Sequence, residues 1–524
     1  MEERKIRHEK AVEPETFILS IIMAAFAAVI CMQIISRIGI TPNTSIIGAI
    51  VAMALARIPF ASMAKFRSLE RQNLVQTMTS AGGFGAANCG ILAVGIIYLY
   101  GEPRLLIPML IGSAISTLVG MNFVYSVFDS DLYPGEGAWP PGVATAQAII
   151  AGDEGGRKAR RLVEGVIAGA IGTHFGLPMA GVGIVFIANI FAMIALGVGL
   201  IIRGYSRQLF GIDLGTTYIP HGFMVGAGVV SLIQVMLTIR RRAQASKTEE
   251  ETEGLQAKTT GAEQMKRAAL VHLGLFLAGA VALAVISGIL TEMSFGTIVI
   301  WTLWAGVSAL LASVLTGLAA MHSGWFPGFA ITVIFLTLGL FMGFPGAPLA
   351  LLAGYVASAG PCFADMGYDL KTGWILRGRG KDREYELAGR KEQIIAELVG
   401  GIVAMVIVAL FMNMHFKLDL LPPVSRVFAA TVKAGTGEPG IVRQLLLWAI
   451  PGAILQAVGG SGRAMGILLA TGLLIYNPIY GIGVLSAVVL RLIIGTEPME
   501  IREAGLIAGD GLYGFFSAIA RAFF

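Results

Sequence analysis

Two short stretches of the sequence carry side chains whose types and spacing could do chemistry. In Arg71-Gln72-Asn73-Leu74-Val75-Gln76-Thr77-Met78-Thr79-Ser80, the residues Gln72, Gln76 and Ser80 fall at i, i+4 and i+8. On a helix they share one face, with Asn73 and Thr77 beside them. Such a stripe of amides and hydroxyls can hydrogen-bond a peptide-like ligand or line a wet cavity. The same groups can equally bridge neighbouring membrane helices. The second stretch places Asp365 and Asp369 one helical turn apart, with Lys371 just beyond. A charge at the bilayer centre costs about 3 kcal/mol or more, so an acid within a membrane segment is a functional candidate by default. It can take up and release a proton, which makes Asp365, Asp369 and Lys371 the proton-coupling candidates. The other reading of Asp369 and Lys371 is an anchor at the cytoplasmic boundary of their helix. Asn88, Tyr218 and Ser358 sit in or beside Gly- and Pro-rich interruptions and join the substrate-binding candidates Gln72, Asn73, Gln76, Thr77 and Ser80.

Other reactive residue types give weaker signals. The histidines are His8, His174, His221, His272, His322 and His415, and no two have the spacing of helical metal ligands. His221 follows Pro220 at a helix break and could line a cavity; a structural role is the alternative. Glu164 and Glu397, near helix ends, are expected at the membrane interface. Cys31, Cys89 and Cys362 are far apart and form no Cys-x-x-Cys pair, which argues against a disulfide framework and a thiolate zinc site. No HExxH, GxSxG or GxxxxGK[ST] motif is present, so neither a familiar enzyme nor an ATP-driven pump is indicated. The sequence implies no metal and no cofactor.

The elements that must position these residues are membrane helices. The 524 residues are 56% hydrophobic and 14% charged, with mean hydropathy +0.76. Soluble domains run nearer 25% charged. A net charge of +5 is small for this length, and it points to basic loops rather than to nucleic acid. Candidate spans are Phe17–Ile38, Thr44–Met63, Leu105–Val127, Leu162–Gly176, Gly181–Ile202, Phe223–Thr238, Ala268–Leu290, Thr297–Met321, Phe329–Met342, Ile394–Met414, Leu445–Val458, Met465–Tyr476 and Ile482–Ile494. Residues 75–99, 140–151, 209–221 and 349–375 are apolar but cut by Gly, Pro or small polar residues, and are expected as broken or re-entrant helices. The fold class is thus an all-α polytopic membrane protein with about 14–16 spanning or re-entrant helices.

The polar run Arg240–Lys266 divides the chain into an N-terminal membrane half (1–239), a cytoplasmic linker (240–266) and a C-terminal membrane half (267–524). The halves are weakly alike: Ser80-Ala81-Gly82 matches Ser358-Ala359-Gly360, and Pro140-Pro141 matches Pro422-Pro423 at a similar separation. Interrupted segments at corresponding places in two halves point to a transporter binding site. Basic clusters at Arg4, Lys5, Arg7 and Lys10, at Arg157 to Arg161, at Arg240 to Arg267 and at Lys371 to Lys391 are all expected to face the cytoplasm. A passive channel is the alternative transport reading. A membrane-embedded enzyme has only the Asp365/Asp369 pair in its favour.

At these same residues the chain resembles the oligopeptide transporter family, including its yellow stripe-like branch. Arg71-Gln72-Asn73-Leu74-Val75-Gln76-Thr77 is similar to the family's Gln-Glu-Asn-Thr-x-x-Gln-Thr motif, without the Glu. Trp139-Pro140-Pro141-Gly142-Val143-Ala144-Thr145-Ala146 resembles Tyr-Pro-Ser-Gly-x-Ala-Thr-Ala. Gly211-Ile212-Asp213 with Tyr218 resembles its short Gly-to-Tyr segment, and Asp369-Leu370-Lys371-Thr372-Gly373 its Asp-x-Lys-Thr-Gly motif. The resemblance implies about 16 membrane elements from a duplicated half. It also implies a proton-coupled symporter for peptides, modified peptides or metal–chelator complexes, in the cytoplasmic membrane. The compact loops suggest a prokaryotic member. Expected partners are the solute, protons and membrane lipid, with no nucleic acid; a homodimer is left open.

Overall fold

The computed structural model describes residues 8–38, 41, 48–49, 63–214, 217–245, 258–324, 326, 328–435, 439–460, 463 and 465–523. The expected span Thr44–Met63 apart from residues 48–49 and 63, the basic residues Arg4, Lys5 and Arg7, and most of the central linker lie outside them. Among the described residues the fold is all-helical, with one isolated bridge between Phe128 and Tyr133.

In chain order the helices are α1 (Pro14–Ile38), α2 (Leu69–Phe84), α3 (Leu92–Tyr100), α4 (Leu106–Val127), α5 (Pro140–Glu154), α6 (Gly156–His174), α7 (Met179–Ile187), α8 (Ile190–Gly204), α9 (Ser206–Phe210) and α10 (Ile219–Ala245). There follow α11 (Ala262–Ser287), α12 (Phe295–Ser323), α13 (Gly328–Phe341), α14 (Gly346–Leu376), α15 (Arg383–Lys417), α16 (Pro423–Ala434), α17 (Pro439–Gly459), α18 (Met465–Leu474), α19 (Pro478–Ile494) and α20 (Arg502–Phe523). Among the described residues, seven helical runs are long and apolar enough to cross a membrane, and five shorter apolar helices accompany them. This is a multi-pass membrane protein.

Local chemistry sets the ends. Ser68, Asn189, Ser294, Asp382 and Asn477 accept backbone N–H bonds at the starts of α2, α8, α12, α15 and α19. The expected span Gly181–Ile202 is in fact two helices, α7 and α8. Asn189 starts the second, its N–H donates to His322 O, and Arg491 satisfies the Val185 and Ala188 carbonyls at the break. The amphipathic α20, with Glu503 and Asp510, is not among the spans that the apolar runs predict. It packs along α6, where Gly165 and Gly505 leave no room for a Cβ.

Two interruptions expected to break helices do not. Residues 69–100 run on helically through a π-helical turn, Gly85–Ile91, between α2 and α3. Its small residues let the turn press against α15 at Ala404 and Val408. α14 continues for 31 residues straight through Ser358-Ala359-Gly360-Pro361. Neighbours bond the backbone just ahead of the proline: the Ser358 carbonyl accepts from the Thr117 hydroxyl at 3.3 Å and from the Cys89 thiol at 3.4 Å. A membrane helix tolerates Pro where neighbouring helices and hydroxyls re-satisfy it.

The helices pack as two bundles. One contains α1–α5 and α11–α16, centred on α14, which packs on α2, α3, α4, α5, α12, α13, α15 and α16. The other pairs α6 with α20, α8 with α18 and α19, and α10 with α17. Each bundle draws on helices from both sides of the central polar stretch. The bundles meet where α5 and α1 touch α20, and where α13 touches α10.

Candidate functional site

Three helices of the first bundle converge on one polar seam. α14 presents Ser358, Cys362, Asp365 and Asp369 at the spacing of a single helical stripe. Opposite it, α2 contributes Gln76 and Ser80, and α15 contributes Gln393 and Glu397. All eight are buried.

The Ser80 hydroxyl donates to Asp365 Oδ1 at 2.7 Å. Gln393 Nε2 donates to the Asp369 carbonyl at 2.7 Å, and reaches Asn73 Oδ1 and Thr77 Oγ1 at 3.4 Å each. Gln76 Nε2 bonds Thr77 Oγ1 at 2.8 Å and Asn73 Oδ1 at 3.2 Å. One carboxyl oxygen from each of Asp365, Asp369 and Glu397 lies within 4.8 Å of the others. Three carboxylates this close and out of water repel one another strongly, and a bound proton or cation relieves the repulsion. The donors are all oxygen, which suits a proton or a hard cation rather than a soft metal.

The Gln393 end of the seam is closed by an ion-pair network. Arg377 holds Glu386 through two bonds of 2.8 and 3.0 Å, and Arg390 holds the same carboxylate at 3.2 Å. Arg377 also donates to Gln393 Oε1 at 2.8 Å, which orients the Gln393 amide toward Asp369. A buried ion pair needs such extra hydrogen bonds to repay its desolvation.

The structure thus brings together Asn73, Gln76, Thr77, Ser80, Asp365 and Asp369. Gln72 is one turn away, donating to Phe66 O at 2.8 Å. Ser358 lies further along the stripe, its hydroxyl 2.7 Å from Gly354 O and 2.9 Å from Ser113 Oγ. Asn88 is in the π turn, where its side chain accepts from Thr41 at 3.2 Å. Lys371 is buried but turned away: its ammonium donates to Gly135 O at 2.6 Å and lies 4.4 Å from the Trp374 ring centroid. Tyr218 is not part of the seam; it packs by His221 at the start of α10, in the second bundle.

Glu397 and a pair of cysteines lie otherwise than the sequence suggests. Glu397, expected at the interface, is fully buried against the two aspartates. The cysteines, distant in sequence, are not all distant in space: the sulfurs of Cys89 and Cys362 are 3.1 Å apart. Gln393 was overlooked. Its signal was the i, i+4 spacing to Glu397 at the edge of an apolar run. Glu164 pairs instead with Arg160 and Arg502 near the surface.

The family model for the OPT oligopeptide transporter protein matches residues 14–233 and 211–521, nearly the whole chain. The chain belongs to the oligopeptide transporter family. No curated protein matches it. Both stretches of the match include seam residues, Asn73 to Ser80 in the first and Asp365 to Glu397 in the second. Membership makes the protein a transporter rather than an enzyme, for solutes of the peptide or metal-chelate kind.

Proposed function

We propose that this protein is a proton-coupled secondary transporter of the cytoplasmic membrane, importing oligopeptides, modified peptides or metal–chelator complexes. The observation that carries the reading is the buried carboxyl cluster set among amides between α2, α14 and α15. Asp365 and Asp369, with Glu397, carry the proton. Gln72, Asn73, Gln76, Thr77, Ser80, Asn88 and Ser358 offer amide and hydroxyl contacts to the solute. Tyr218, in the other bundle, contributes only if the bundles close toward each other. Lys371, held by Gly135 and Trp374, anchors the end of α14. The likeness of Ser80-Ala81-Gly82 to Ser358-Ala359-Gly360 supports a two-half organisation of the site.

Protonation links the two tasks. A neutral cluster lets the solute approach without facing several buried negative charges, and loss of the proton on the inner side restores the repulsion. Solute and proton then bind with mutual dependence, the requirement for symport.

The test is uptake into proteoliposomes under an inward proton gradient. Candidate solutes are first found by thermal stabilisation of the purified protein, which grows as RT ln(1 + [L]/Kd). Asp365→Asn mimics the protonated acid. It is expected to abolish proton-driven accumulation while solute counterflow between preloaded compartments persists. Full accumulation in that variant would remove Asp365 from the coupling path.

A further inference from the structure

All three cysteines are buried, and two of them meet. Cys89 lies in the π turn and Cys362 directly follows Pro361 on α14. Their sulfurs stand 3.1 Å apart, about 1 Å beyond a disulfide bond of ~2.05 Å. Hydrogen bonding holds the Cys89 backbone in place. The Cys89 carbonyl accepts from Ser113 Oγ at 2.9 Å, and Ser358 Oγ lies 3.3 Å from it. Cys89 Sγ in turn faces the Ser358 carbonyl. Gly85, earlier in the same π turn, covers Cys362 Sγ with no side chain: a Cβ there would lie 4.0 Å from the sulfur. The thiols therefore face each other across a contact that main chain on both sides keeps short.

We propose that Cys89 and Cys362 form an oxidation-sensitive latch, in which hydrogen peroxide converts the dithiol to a disulfide tying the π turn to α14. One sulfur attacks a peroxide oxygen; its proton leaves with the displaced hydroxide as water, and a sulfenic acid remains. The second sulfur attacks the sulfenic sulfur, its proton leaves with the sulfenic oxygen as a second water, and the S–S bond forms. The two thiols lose two electrons in total, and the peroxide is reduced to two waters. Bulky disulfide reagents are excluded by the burial of both sulfurs, so the oxidant is a molecule of about the size of water. The latch sits one turn from Asp365. Once closed, it fixes the separation of α14 from the helical run that carries Ser80.

The whole protein, purified in detergent, is treated with hydrogen peroxide, denatured, alkylated and mapped by mass spectrometry. The expected result is a fall from three alkylated thiols to one, Cys31. A Cys89–Cys362 cross-linked peptide should appear and vanish with dithiothreitol. Cys31→Ser should still form the link, and Cys89→Ser and Cys362→Ser should not. The wild-type map decides the matter even if a serine variant fails to fold. Three alkylated thiols after peroxide, or oxygen added to Cys89 or Cys362 without a link, would overturn the proposal. None of these readouts depends on what the protein transports.

Discussion

The hydrogen bond from Ser80 to Asp365 joins two helices at a buried point. Removing the donor leaves a buried carboxyl oxygen unsatisfied, at a cost of about 1–3 kcal/mol. Ser80→Ala is accordingly expected to lower the thermal midpoint of the purified protein. Ser80→Thr, which keeps the hydroxyl, should recover most of the loss; equal losses in the two would assign the effect to packing. The polar stripe on α2 and the Asp pair on α14 were legible in the sequence because an i, i+4 pattern needs only one helix to be right. Glu397 was misread because its nearness to a helix start counted for more than its place inside an apolar run. Cys89 and Cys362 could not be paired at all, since their meeting depends on how a π turn and a proline-containing helix pack.

At the scale of elements, the sequence located most helices by their apolar runs but misjudged what interrupts them. Ser358-Ala359-Gly360-Pro361 reads as a break in isolation, and so does the Gly-rich stretch after Ser80. Both stay helical because the surrounding helices supply hydroxyls and close contacts that a single segment does not encode. The split between α7 and α8 was missed for the converse reason. The run looks continuous, but Arg491 and His322, far along the chain, satisfy the backbone at Ala188 and Asn189. Close approach between helices also decides where bulk is tolerated. A Cβ at Gly226 of α10 has no space against the Ala449 carbonyl of α17. Gly226→Leu should therefore force the pair apart and cost about 1–3 kcal/mol or more. Expressed, folded protein would fall and its thermal midpoint would drop, with the carboxyl cluster untouched. A variant as stable as wild type would show that α10 and α17 separate readily.

For the whole molecule, the division into two bundles matters more than the division along the chain. α5 belongs to the first bundle and α6 to the second, and Gly155 and Gly156 lie at their junction, both at positive φ, 68° and 59°. Gly435, with φ of 65°, follows α16 on the way back to the second bundle. A residue with a Cβ costs about 1–2 kcal/mol at such a φ. In the transport cycle proposed above one bundle moves against the other, and these glycines are joints for it among the described residues. Replacing both Gly155 and Gly156 with Ala should slow uptake several-fold while leaving solute-induced thermal stabilisation unchanged. An unaltered uptake rate would place the moving joint elsewhere. The sequence made the membrane class plain through composition alone. It could not reveal the bundles, because each joins blocks of helices that lie far apart in the chain.

α14 touches its neighbours on every side, and its most apolar window is wholly buried. That window also has a mean hydropathy of 1.4, the lowest among the seven long runs. Such a helix gains little from lipid and carries two acids and a lysine that lipid would penalise. Its insertion must therefore rest on protein rather than on bilayer, and the order of synthesis provides for this. α2, the π turn, α3, α4, α5, α12 and α13 all leave the ribosome before α14 does, so most of its berth exists when it arrives. Only α15 and α16 come later, to close the last side and to bring Gln393 and Glu397 to the aspartates.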